Sequence, residues 1–272
     1  MKKFFLIIIF CNTSFLNISA QSEINFQIKI IAKGDFVFFA VDQFENIYLL
    51  NAANQLKKIN ANDDSVAVFN SGRKFGMISQ IDASNPLHIL VFYNDFSTLL
   101  ILDNQLSVRN TIDLRKQNIF QVQAVCRSHD NNIWLFDAIE NKLKKINEAG
   151  NLILETADFR QLFGNDFNFI SITEENELVY LYDPKHGVFI FDIYGALKNR
   201  IAITDWKNFA IENGELRGTK NDSLFNYSIK TFSFAEQLLP KIFQDAISIK
   251  IASSKIYVLK KNEVYRIIGN FN

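Results

Sequence analysis

The stretch Asn46-Ile-Tyr-Leu-Leu-Asn51, followed by Gln55-Leu-Lys-Lys-Ile-Asn60, returns further along the chain as Asn132-Ile-Trp-Leu-Phe-Asp137 and Lys142-Leu-Lys-Lys-Ile-Asn147. Each copy follows an apolar run and an Asp-containing turn, Phe38-Phe-Ala-Val-Asp-Gln-Phe-Glu45 in one and Ala124-Val-Cys-Arg-Ser-His-Asp-Asn131 in the other. A match over two apolar segments and two turns is the mark of an internal repeat.

Weaker copies extend the series. Leu87-His-Ile-Leu-Val-Phe-Tyr-Asn94 leads into Leu99-Leu-Ile-Leu-Asp103, and Leu178-Val-Tyr-Leu-Tyr-Asp183 leads into Val188-Phe-Ile-Phe-Asp192. Lys255-Ile-Tyr-Val-Leu259 leads into Val264-Tyr-Arg-Ile-Ile268, and a degenerate copy reads Glu215-Leu-Arg-Gly218, then Leu224-Phe-Asn-Tyr227. With Ile47, Ile89, Ile133, Val179, Leu216 and Ile256 as equivalents, the intervals are 42, 44, 46, 37 and 40 residues.

The segments are short, bounded by Asn, Asp and Gly, and rich in Ile, Val, Tyr, Phe and Trp, as strands are. Their apolar residues run on or alternate and do not recur at helical spacing. Several short strands in a period of roughly 40 residues predict an all-β six-bladed β-propeller with four-stranded antiparallel blades. The alternating segment Glu23-Ile-Asn-Phe-Gln-Ile-Lys-Ile30 belongs to no copy. It is expected to close the last blade by pairing, over 24–31, with the strand around Val264 to Ile268, leaving no open sheet edge. The degenerate fifth copy is where the count of six is weakest.

The unit apolar-Asp-x-x-x-Asn-Ile-Tyr-Leu … Leu-Lys-Lys-Ile-Asn, at Val41 to Asn60 and Arg127 to Asn147, resembles NHL-type six-bladed propellers. The resemblance implies a first strand lining the axis and a third strand ending in Phe/Ile-Asp/Asn. This chain lacks most of that pattern's glycines, having Gly 10 in 272 residues.

The N-terminus reads separately. Met1-Lys-Lys3 is a basic start, Phe4 to Phe10 is apolar, and Ile18-Ser-Ala20 supplies a cleavage site. This predicts a secretory leader over 1–20 and a propeller domain over 21–272. Cys11 offers lipid attachment, but Phe10 stands where a small residue is required, so no lipid anchor is expected. No other segment approaches the roughly 18 apolar residues of a membrane helix. With the leader removed, Cys126 has no partner for an internal disulfide, and its alternating context is that of a buried thiol.

Lys+Arg 29 against Asp+Glu 29 gives no net charge, which argues against a nucleic-acid partner. No phosphate loop, Gly-x-Ser-x-Gly or other cofactor or catalytic signature occurs, so no catalytic residue, metal or cofactor is assigned. His88, His129 and His186 fall at different points of the repeat and are not expected to converge. Asp42, Asp82 and Asp130 follow inner strands, where a turn needs Asp in any case.

The remaining candidates are on loops. Links between blades and turns between second and third strands emerge on one propeller face. They carry Arg73, Lys74, Phe96, Arg115, Phe120, Arg160, Phe163, Phe167, His186 and Trp206. Aromatic and Arg residues there are the types that anchor interfaces; the alternative is that the Phe-rich links tuck under to cover blade ends. The expectation is a non-catalytic periplasmic scaffold with another envelope protein as partner. Composition and leader resemble those of Gram-negative bacteria with type IX secretion, and an ending at the last strand favours retention in the periplasm. The rivals are a calcium-dependent hydrolase or lactonase and a carbohydrate-binding propeller stacking sugars on Trp134 and Trp206.

Overall fold

The computed structural model describes residues 27–72, 74–164, 167–252 and 255–268. They form six four-stranded antiparallel sheets. The first strands are Phe36–Val41, Gln80–Asp82, Val122–Arg127, Ser171–Glu175, Lys207–Glu212 and Ser248–Ala252. These line one channel on the axis, and Val122–Arg127, for one, touches both Gln80–Asp82 and Ser171–Glu175. The chain is a six-bladed propeller. Among the described residues, helical structure is limited to the turn Phe159–Phe163 and two single 3-10 turns.

Stacking of blades explains the sequence pattern. Second and third strands are covered on both faces, so Ile89–Tyr93 and Thr98–Leu102 are buried throughout. Fourth strands face water along one side, and Ser65–Asn70 buries only Phe69 fully. Ile47, Ile89, Ile133, Val179, Leu216 and Ile256 all fall in second strands, and none is more than 1% exposed.

The N-terminal closing strand is present. Gln27–Lys33 is the outermost strand of blade 6, with Gln27 opposite Ile268 and Lys33 opposite Glu263. The expected partners at 24–26 lie outside the described residues, as does the leader over 1–20.

Two features replace the missing glycines. Asn54, Asn118, Asn131, Asn141, Asn213 and Asn221 take positive φ, which Asn tolerates better than other side chains. The Asp or Asn ending the third strand caps the following turn. Its Oδ1 accepts two backbone N–H groups at Asn60, Asp103, Asn147 and Asp192 alike. The repeat's terminal Asp/Asn is therefore a turn device.

Blade 5 is complete despite its degenerate sequence: Lys207–Glu212, Glu215–Lys220, Ser223–Ser228 and Phe234–Leu238 pair in order. Its strands are only partly buried, and Trp206 supplies what they lack. The indole lies over Gly218, where an added Cβ would come within 2.7 Å of the ring. Trp206 N–H donates to Tyr182 Oη at 2.7 Å, and the Tyr182 hydroxyl donates to the Trp206 carbonyl at 3.0 Å, pinning blade 5 to blade 4.

Candidate functional site

Antiparallel order fixes two faces. Strand one ends at a turn on one face, strand two returns, and so on; inter-blade links and second-to-third turns share the link face. First-to-second and third-to-fourth turns share the opposite, turn face.

On the link face the loops are tied in sequence from blade 1 to blade 4. Asn54 Nδ2 donates to the Gly72 and Gly76 carbonyls, and Ile78 N–H donates to Asn54 Oδ1. Met77 N–H reaches Asp95 Oδ2, and Arg115 Nη2 donates to the Asp95 carbonyl at 2.8 Å. Ser97 Oγ donates to the Phe120 carbonyl at 2.6 Å, Ala138 N–H to Gln121, and Phe159 N–H to Asn141. Held on this string, Met77, Phe96, Phe120, Ile139 and Leu162 are each about half exposed, from 47% to 54%. The Arg115 guanidinium lies 5.2 Å from the Phe96 ring centre.

The nine described candidates all belong to this face but divide by depth; Arg73 lies outside the described residues. Lys74, Phe96, Arg115, Phe120 and Arg160 are exposed. Lys74 lies over the Phe75 ring, and Arg160 pairs with Asp158 at 2.8 Å. Phe167 and Trp206 are buried, and Phe163 is partly buried. His186 is half-buried between Asp183, 3.1 Å away, and the Phe167 ring. Phe159, Phe163, Phe167 and Phe169 gather with Phe136, Phe189 and Phe191 between blades 3 and 4. The Phe136 and Phe169 rings are 4.6 Å apart, edge to face. That link tucks inward, because each buried Phe contributes about 1.5–3 kcal/mol that exposure would forfeit. Trp134 and Trp206 are also core residues, at 0% and 5% exposure, so neither can stack on a sugar.

The turn face is tied differently, through polar side chains, although it also exposes Phe44, Leu87, Tyr194 and Phe232. Glu174 of blade 4 accepts from Ser128 Oγ, from His129 N–H and from Trp134 Nε1, and contacts the His129 ring, all of blade 3. Burial alone raises its carboxyl, but those donors outweigh it and hold the group below the usual carboxylate range. Arg127 Nη2 meets Glu148 at 2.7 Å and His88 Nδ1 at 2.9 Å. Glu175 accepts the N–H groups of Asn213 and Gly214 in blade 5, and Lys255 pairs with Glu45 across the closure. His88 and His129 thus lie on this face and His186 on the other.

The three turn aspartates do not gather. Asp42 accepts from Phe44, Asn46 and the buried Tyr48 hydroxyl, while Asp130 holds Asn132 N–H and Lys145 Nζ. Asp82 accepts from Ser84 N–H and, across the blade boundary, Arg127 N–H. Among the described residues no three His, Cys, Asp or Glu side chains are grouped to share a metal ion. Nor, among them, is any helix long and apolar enough to cross a membrane.

Along the axis runs a channel of about 540 Å³ lined by the first strands of all six blades. Strand register defines one layer of equivalent residues: Ala40, Asp82, Cys126, Thr173, Ala210 and Lys250, opposite Tyr48, Leu90, Trp134, Tyr180, Arg217 and Tyr257. Gln80, Gln123 and Asn208 each accept a backbone N–H of the next blade, from Val125, Phe169 and Ile249. Cys126 is free and buried; burial, with Asp82 and Glu174 nearby, pushes its thiol well above the ordinary range, against a nucleophilic role. Lys250 and Glu174 escaped the reading of loops and motifs. Only alignment of the inner strands copy by copy singles out Lys250, where other blades carry Ala, Asp, Cys or Thr.

No protein-family model and no curated protein matches the chain. Among solved structures, it is similar to a catalytically inactive virginiamycin B lyase from Staphylococcus aureus with quinupristin. The TM-score is 0.67 at 10% identity, over 90% of this chain and 99% of that one. It is similar also to a streptogramin B lyase, with TM-score 0.61 at 11% identity over 90% and 98% of the two chains. The Neurospora crassa Pan2 WD40 domain gives 0.63 at 10% identity over 88% and 90%. At such identity the likeness is one of fold, shared by an enzyme and a domain of another kind.

Proposed function

We propose that this chain is a non-catalytic, exported propeller that binds another protein of the cell envelope on its link face. The observation that carries the reading is the hydrogen-bonded string from Asn54 to Phe159, which holds five half-exposed apolar side chains on one face. Apolar groups kept out of the core by an ordered backbone are the usual anchors of an interface. Lys74 and Arg115 add positive charge beside them, so the matching surface is apolar with an acidic rim. The leader expected over 1–20 supports a periplasmic location, and an accessory role in envelope or type IX secretion machinery follows from that location. The Asp/Asn-capped third-strand turns support an NHL-type repeat.

The test is a photo-crosslinking amino acid placed in turn at Phe96, Phe120 and, on the turn face, Phe44, in cells that make the chain. A discrete protein adduct from Phe96 and Phe120 and none from Phe44 is the expected result. Adducts of equal yield from all three, or from none, would overturn the proposal.

A further inference from the structure

The central channel contains a cation that has no hydrogen-bond or ion-pair partner among the described residues. The buried lysines elsewhere are answered: Lys58 Nζ donates to the Asn104 carbonyl, Lys144 pairs with Asp137, and Lys145 pairs with Asp130. Lys250, half-buried at the centre of Ser248–Ala252 and lining the channel, makes no hydrogen bond or ion pair among the described residues. Its nearest electrostatic counterpart is Asp82, two blades away, whose Oδ1 and Oδ2 are each occupied by a backbone N–H.

The other polar groups of the channel sort in the same way. Glu174 is saturated by donors from blade 3. Ser171 Oγ, in contrast, is buried in the same channel wall with no partner. Both carboxylates thus accept hydrogen bonds from the chain, while the Lys250 ammonium and the Ser171 hydroxyl remain open, as do Nε and Nη1 of Arg127, whose charge is met by Glu148 through Nη2. A half-buried ammonium without an ion pair is open to a partner from the channel, so the occupant that suits this chamber brings a negative charge and hydrogen-bond acceptors. A single uncommitted cation calls for a single negative charge. The volume of about 540 Å³ limits the occupant to a small molecule, and Phe38, Ile172 and Ile211 give it an apolar wall.

We propose that the central channel binds a small organic monocarboxylate, its carboxylate on Lys250 Nζ and its apolar body against Phe38, Ile172 and Ile211. Ser171 donates a second hydrogen bond to the bound acid. Burial lowers the Lys250 ammonium from its ordinary range, with Asp82 pulling weakly the other way. A paired carboxylate restores the charged form, so binding takes up protons and weakens as pH rises. The other titratable groups lining the channel are Asp82, Cys126, Arg127 and Glu174.

The experiment is calorimetric titration of the full chain with butyrate, with benzoate, with benzamide as the uncharged counterpart, and with inorganic phosphate. Each titration is run in two buffers of different ionisation enthalpy. At least one monocarboxylate is expected to bind saturably with net proton uptake. Lys250→Met should weaken it at least about tenfold and Lys250→Arg should retain most of it. If Lys250→Met fails to fold, the wild-type chain still decides through proton uptake and loss of affinity at alkaline pH. No saturable binding of either acid would overturn the proposal, as would equal binding of benzamide, preference for phosphate, or unchanged affinity in Lys250→Met. Every one of these outcomes leaves the link-face reading untouched, because the channel and the exposed loops share none of the residues tested.

Discussion

The two faces of this propeller are built by opposite means. On the turn face, blades are joined by charge: Glu174 ties blade 4 to blade 3, and Glu45 with Lys255 closes the ring. On the link face, loops are joined by hydrogen bonds between Asn54, Asp95, Ser97 and Arg115 side chains and loop backbone and by a buried Phe cluster, and half-exposed Met77, Phe96, Phe120, Ile139 and Leu162 are left over. The difference teaches where stability and recognition are separable. Turn-face polar groups are engaged in holding the ring, whereas the exposed apolar groups of the link face hold nothing that the structure needs.

Substitutions rank accordingly. The largest effect belongs to the buried floor of the link face: Phe159→Ala removes a side chain at 0% exposure packed against six other Phe rings. It should cost about 3–5 kcal/mol in denaturant unfolding. A cost below about 1 kcal/mol would mean the cluster is not the seam between blades 3 and 4.

Next comes Glu174→Gln, expected to cost about 2–3 kcal/mol at neutral pH, because charge-assisted bonds from blade 3 weaken together. The Glu174 carboxyl is held below its ordinary range in the folded chain. Its stabilisation is therefore fully present above the unfolded value, about 4.3, and is lost as pH falls toward the folded one. Glu174→Gln should flatten the acid limb of a stability–pH curve, and an unchanged limb would show that the turn face is not held this way.

Gly218→Ala tests the seam of blade 5 and should cost about 1–3 kcal/mol, since the new Cβ meets Trp206. Trp206 fluorescence should shift with it; unchanged stability and emission would place the indole elsewhere. The smallest effect is that of Phe96→Ser with Phe120→Ser, within about 0.5 kcal/mol of the parent in the same unfolding assay.

The fold was legible because blade stacking leaves little choice. Strands covered on both sides must read as runs such as Leu99 to Leu102, and each run must be followed by a residue able to cap a tight turn, as Asp103 does. Blade 5 was faint for a physical reason: a Trp outside its strands, set over Gly218, does the packing that Ile and Leu do elsewhere. The binding face was legible in residue type but not in depth. A Phe in a link reads alike whether it points in or out, so Phe96 and Phe120 could not be told from Phe167, nor Arg115 from Trp206 in accessibility. Lys250 was invisible for a third reason. It is one Lys in an alternating strand, and its singularity exists only in the register shared by six inner strands.

The central claim is that the exposed side chains of the link face, and not those of the turn face, engage an envelope protein. Its most direct measurement is capture from cross-linked envelopes by three forms of the full chain: the parent, the Phe96→Ser/Phe120→Ser variant, and a turn-face variant, Phe44→Ser/Phe232→Ser. All three should be equally stable, and the same protein should be recovered by the parent and the turn-face variant but lost from the link-face variant. Recovery that is equal for all three, or that fails only for the turn-face variant, would contradict the account.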